Sequence, residues 1–243
     1  MVLKAFKPYK ETVTYPPMLF PSVFTLEGLN NCLESLDVLH FAKNSLVVSC
    51  SVLVLQYIVI IPAAYAFARV KFPGRGLLFG VVLLGFMIPQ QVTFVPVYLM
   101  FSKAHLLQSY LPQIIPFIAN AFGIFLLRQY FMQIPEEIIE SARLDNASEP
   151  KIILRIMIPM AKTALFTIGL LSFISQWNSY FWPLIMTTKN TYRPLAVGVA
   201  MLKSVDQGIE WNKLMAGNLF LVGPIMLAYL FATKQIRKAF VYS

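Results

Sequence analysis

Five of the eleven carboxylates in this 243-residue chain fall within residues 134–160, IPEEIIESARLDNASEPKIILRIMIPM. Their spacing does not suit bond-making chemistry. Glu136, Glu137, Glu140, Asp145 and Glu149 have no histidine or cysteine among them, whereas acid–base and metal catalysis need such groups gathered in one site. His40 and His105 lie far apart in the chain, with no H-E-x-x-H pair and no G-x-x-x-x-G-K phosphate loop anywhere. A metal centre, a nucleotide site and a resident cofactor therefore have no support. The stretch is suited to recognition: acidic and small residues on a short helix, followed by a corner, offer charge and close backbone approach to another protein.

The segments that flank it set the class. Hydrophobic residues make up 58% of the chain and charged residues 13%, against roughly 25% charged in soluble domains; mean hydropathy is +0.66. Uncharged apolar runs of about 18 residues or more mark membrane-crossing helices. Five are expected, at 44–68, 77–101, 109–127, 163–188 and 214–233, and none contains Asp, Glu, Lys, Arg or His. The expected fold is all-α: a polytopic helical membrane protein whose charged loop, 135–160, stands outside the bilayer.

The formal net charge of +9 is not a nucleic-acid footprint, because the basic residues gather at span ends, where headgroups and the positive-inside rule place them. If RVKFPGR (69–75), the charged island with its flanks from Arg128 to Lys162 and the tail TKQIRKAFVYS are cytoplasmic, that side holds eleven Lys/Arg and the other nine. The bias puts the C-terminus in the cytoplasm and residues 1–40 outside. Cys32 and Cys50 read as two unpaired thiols, the latter inside the first span. Proline recurs in the spans (Pro62, Pro89, Pro96, Pro112, Pro116, Pro183, Pro224). Each removes a backbone donor and is tolerated where neighbours or a water-filled path satisfy the freed carbonyls; the plainer reading is that membrane helices simply contain more proline. Pro89-Gln90-Gln91 favours a functional kink.

Within the island two short helices are expected. Pro135 suits the first helical position, with Glu136 and Glu137 at the positive end of the helix dipole. Ile138, Ile139 and Ala142 form its apolar side. Asn146, which tolerates the left-handed conformation, stops it. Ser148 and Pro150 start the second helix, whose apolar face is Ile152, Ile153, Ile156 and Met157, and Pro159 ends it. The alternative, a helix lying on the membrane interface, normally needs a Lys/Arg-rich face; here the first helix is acidic.

The string Glu140-Ser141-Ala142-Arg143-Leu144-Asp145-Asn146-Ala147, with Ile156 and Pro159 beyond it, resembles the EAA loop of ABC-importer permeases. Glu140, Ala142, Asp145, Ala147 and Pro159 match that motif; Ser141 stands for alanine and Asn146 for glycine. KNSLVVS (43–49), AYAFARVKFPGR (64–75), SQWNSYFWPLI (175–185) and WNKLMAG (211–217) are similar to the carbohydrate-uptake branch, maltose-transporter type. The resemblance implies a permease domain over 41–243, six helices with the first upstream of residue 1, and a leading segment 1–40 outside the cell. It implies ABC ATPase subunits, a second permease subunit, an extracytoplasmic solute-binding protein and a sugar as partners, in a bacterial or archaeal plasma membrane. ATP hydrolysis would belong to the ATPase subunit, so the chain itself would not be an enzyme. Glu140 would supply docking charge, Ala142 and Ala147 close packing, and Asp145 and Asn146 the corner; Ala147→Trp and Glu140→Lys would uncouple hydrolysis from uptake.

For the solute path the candidates are Asn120 and the Gln176-Trp177-Asn178 cluster, amides and an indole suited to sugar hydroxyls and ring faces. Interhelical hydrogen bonding, about 0.6–2 kcal/mol each, is the competing use for any one of them. A secondary transporter is the rival function. Proton-coupled carriers usually keep an ionisable group within the membrane, and these spans have none.

Overall fold

In the computed structural model the described residues are 2–241 apart from 16, 17, 19 and 204–209, with backbone alone for 231–241. The described chain is helical. Short helices Val2–Ala5, Tyr9–Thr12 and Glu27–Ser35 precede α1 (Val38–Arg69), α2 (Arg75–Met87), α3 (Gln90–Lys103), α4 (Ala121–Gln133), α5 (Glu136–Leu144), α6 (Glu149–Ile152), α7 (Lys162–Trp177), α8 (Phe181–Met186), α9 (Leu195–Met201) and α10 (Trp211–Val241). Among the described residues, three helical stretches are long and apolar enough to cross a membrane, or up to five if each bent pair counts as one span.

Breaks fall inside three of the five expected spans. The 77–101 run is two helices meeting at 95°, with Pro89 (φ −62°, ψ 135°) as the N-cap of α3. The 109–127 run opens as a short helix, Leu111–Ile114, and a 3-10 turn, Ile115–Phe117, before α4 begins. The 163–188 run is not one helix, because α7 stops at Trp177 and α8 starts afresh at Phe181. By contrast α1, α3 and α10 continue through Pro62, Pro96 and Pro224. A helix absorbs one missing donor; what separates Pro89 is the extended backbone imposed there, which no helix can continue.

Two compact units emerge. One comprises residues 1–50, 107–113 and 173–231. Ala5, Cys32, Leu36, Phe41, Trp177, Leu195 and Leu214 form its core, so the leading residues are part of this unit. Gly28 is required there: a Cβ would lie 2.9 Å from the backbones of Ala5 and Asn212. Asn44, 1% exposed, ties the unit together. Its amide donates to the carbonyls of Thr191 and Arg193, both at 2.9 Å, and its oxygen accepts from the Tyr110 hydroxyl at 2.6 Å.

The other unit comprises 51–106, 114–172 and 232–243 and contains the charged island. Ile60, Ala64, Leu127, Phe131, Ile139, Ile152, Met157 and Ile168 are among its core residues. Gly123, in the first turn of α4, lets that helix approach Ile60 of α1, whose Cδ1 would lie 2.8 Å from an added Cβ.

Candidate coupling site

The first island helix, α5, runs Glu136–Leu144 with Pro135 at its N-cap (φ −55°, ψ 138°), one position before the expected place. Ile139 is its buried anchor at 1% exposure, and Ala142 lies half-buried beside it. Ile138 is 39% exposed, so the inward register is 139 and 142, three apart on one face. Glu137, Glu140, Ser141 and Asp145 are exposed. Leu144, 83% exposed, adds an apolar side chain to this acidic face.

The helix ends at Asn146 as its residue type requires. Asn146 has φ +54°, the left-handed region. The Ala147 amide donates to the Ala142 carbonyl and the Asn146 amide to the Arg143 carbonyl, each at 3.0 Å. This pair is the Schellman closure, in which the last carbonyls of a helix are satisfied by the reversing chain. Ala142, third from the end of α5, and Ala147, second after the C-cap Asp145, pack half-buried against the unit's own core, so their small size serves the corner first. Asp145 is the C-cap.

Beyond the corner, Ser148 occupies the N-cap position of α6 in extended geometry (φ −67°, ψ 151°), but makes no side-chain cap bond. Ile152 and Met157 are fully buried and Ile153 and Ile156 pack beside them, the expected face. Residues Ile153–Met157 form a π turn closed by the Ile158 amide on the Ile153 carbonyl. Pro159 has no amide to give the Arg155 carbonyl, and the wider turn accommodates that loss. Pro159, exposed, does not stop the chain; the helix runs to Met160 and bends 81° into α7. An apolar recess of about 420 Å³ opens between Tyr57, Ile61 and Pro62 of α1 and Pro150, Ile153 and Ile158.

An ion pair braces the corner. Arg143 Nε lies 2.9 Å from Glu149 Oε1, and the Tyr65 hydroxyl, from the end of α1, donates to Glu149 Oε2. The Arg143 guanidinium first, and the Tyr65 hydroxyl second, hold the Glu149 carboxyl below its ordinary range; Glu149 in turn raises Arg143. The result is a hydrogen-bonded corner whose exposed face carries Glu137, Glu140, Leu144 and Asp145.

Residues 58–233 match the family of binding-protein-dependent transport system inner membrane components. The chain belongs to that family. The sn-glycerol-3-phosphate transport system permease protein UgpE of Pectobacterium atrosepticum is 32% identical over 82% of this chain and 72% of its own length. The protein of the same name from Shigella flexneri is 30% identical over 94% and 84%. A chain from the crystal structure of a bacterial ABC transporter involved in importing the acidic polysaccharide alginate superposes with a TM-score of 0.86, covering 96% of this chain and 87% of that one at 24% identity. The fold is that of an ABC permease.

In this permease the expected solute-path residues are divided between the two units. Asn120 caps α4, its side-chain oxygen accepting from the Gly123 amide at 3.0 Å. Gln56, 4% exposed, donates to the Phe117 carbonyl at 2.7 Å. Asn120 thus serves the backbone of its own interrupted span, and Gln56 serves it from α1. Gln176 is buried, Trp177 is 3% exposed and donates to the Leu221 carbonyl at 3.0 Å, and Asn178 is exposed. Tyr65, an aromatic inside the first expected span, serves the corner. The sequence did hold a signal for it, in a phenol placed just before the basic end of a span. Leu144 had none beyond being apolar between charges.

Proposed function

We propose that this permease couples to a separate ATPase subunit through the corner at 140–147, and that Glu140 and its exposed neighbours Glu137, Leu144 and Asp145 are the docking surface. The observation that carries this reading is the Schellman corner braced by Arg143, Glu149 and Tyr65. It is closed by backbone hydrogen bonds and an ion pair, and it leaves exposed Glu140 and Asp145, the acidic residues that match the EAA motif. On this reading 135–160 is cytoplasmic, as is the C-terminus, residues 1–40 lie outside, and 41–243 form half of a translocation path completed by a second permease subunit and fed by a solute-binding protein.

The solute is a carbohydrate. Uncharged amides and aromatics suit an uncharged sugar, and the apolar runs 44–68, 77–101, 109–127, 163–188 and 214–233 contain no Lys, Arg or His to hold an anion. The named relatives, which serve sn-glycerol-3-phosphate transport, favour a phosphorylated polyol as the second reading. Uptake into proteoliposomes containing the assembled transporter, with labelled neutral sugars against sn-glycerol 3-phosphate, separates the two.

The docking role is tested by Glu140→Lys in the assembled complex. Membrane insertion and pairing with the second permease should persist, while ATP hydrolysis no longer drives uptake. Wild-type uptake by the variant would refute the role.

A further inference from the structure

Two arginines outside the motif exchange places at the ends of α1 and α4. Arg69, the last residue of α1, reaches the last turn of α4: Nε and Nη2 donate to the Phe131 carbonyl at 3.1 and 2.7 Å, and Nη2 also donates to the Ile134 carbonyl. Its Nη1 lies 3.3 Å from Glu136 Oε2, at the start of α5, and its side chain is only 8% exposed. Arg128, on α4, returns the contact, with Nε donating to the Phe67 carbonyl near the end of α1 at 3.1 Å. Its guanidinium lies 4.2 Å from the centre of the Phe79 ring of α2, itself 5.4 Å from the Phe67 ring.

Chemistry explains the choice of residue. The last four carbonyls of a helix lack intrahelical partners and carry the negative end of its dipole. A guanidinium offers several donors in one plane and can satisfy two carbonyls and a carboxylate together, which a lysine ammonium on a flexible stem cannot do in the same geometry. Each helix end is therefore closed by the other helix's arginine, and one of the two also holds the first residue of α5.

We propose that Arg69 and Arg128 form a reciprocal clasp that makes the ends of α1 and α4 move as one body with the coupling corner. They are positioning residues for ATP-driven transport. The inference rests on the docking role of the corner and adds where its displacement is delivered: to two helix ends at once.

The test uses the complete transporter in proteoliposomes, reading solute imported per ATP hydrolysed for R69Q, R128Q, R69K and the double variant R69Q/R128Q. The expected result is assembled complexes that still hydrolyse ATP but import at least fivefold less solute per ATP. R69K should be intermediate, and the double variant no worse than the weaker single one, since both break one device. An unchanged ratio in the single variants overturns the proposal. So does loss of assembly in all four, which would make the clasp purely structural. E140K is run alongside. If it behaves as wild type, the docking reading fails and the clasp proposal falls with it; if it is defective while R69Q and R128Q are normal, the clasp alone is refuted.

Discussion

Tyr65 and Glu149, 84 residues apart in sequence, are joined by a hydrogen bond from phenol to carboxylate that fastens the coupling corner to the end of the first long helix. Tyr65 is 4% exposed, while the Glu149 side chain is about half exposed. Hydrogen bonds to charged groups contribute about 1.5–3 kcal/mol, and solvent screening at Glu149 places this one at the lower end. Y65F should lower the stability of the purified permease by about 1.5 kcal/mol, seen as a reduced melting temperature in detergent. An unchanged melting temperature would show that the bond does not hold the corner.

Asn146 sits at φ +54°, where an L-residue with a Cβ is strained by about 1–2 kcal/mol and asparagine is better tolerated than most. N146G should preserve uptake and slightly raise stability, since glycine adopts this region freely. N146V should open the Schellman closure and sharply reduce uptake, because a β-branched residue fits there worst. Equal uptake by both variants would remove the corner from the mechanism.

Ala147 follows from the same geometry. Its methyl group packs on the permease's own core, so A147W should disturb the corner from within and not merely block a partner. Protease sensitivity of residues 140–150 in the isolated subunit should rise. If it stays at the wild-type level while uptake is lost, the side chain acts at the docking face instead.

Acid should loosen the brace. Glu149 is held below its ordinary value of 4.5 by Arg143 first and Tyr65 second. A carboxyl with a lowered folded-state pKa contributes stability that is complete above the ordinary value and is lost as pH falls through the lowered one. Amide exchange of residues 143–149, corrected for intrinsic rate, should keep constant protection from neutral pH down to the ordinary carboxylate range and lose it below. E149Q should show no such step. A step that survives in E149Q would assign the titration elsewhere.

In the other unit, Asn44 uses both ends of its amide while 1% exposed. N44L strands two carbonyls and a tyrosine hydroxyl, each at about 1–3 kcal/mol if left buried without a partner. Marked destabilisation is expected, by about 3 kcal/mol or more, with solute imported per ATP unchanged in whatever fraction folds. A stable N44L protein would show that water reaches these groups.

The membrane class, the helical fold, the charged island and its left-handed stop at Asn146 were legible in the amino-acid order, because each depends on local chemistry. A run of apolar side chains has to leave water, and a residue that tolerates positive φ marks a helix end wherever the chain goes. The same local reasoning located the apolar face at Ile152, Ile153, Ile156 and Met157 and the kink at Pro89. It did not show that 109–127 and 163–188 are interrupted. Apolar composition reports where a segment resides, and the breaks depend on distant partners such as Gln56 for the Phe117 carbonyl. Nor could it assign Asn120 to a cap, Tyr65 to the corner, or Arg69 and Arg128 to each other's helix ends. Those roles require two segments, dozens of residues apart, to offer unpaired carbonyls or a carboxylate at hydrogen-bond distance, and only the packed helices bring such groups together.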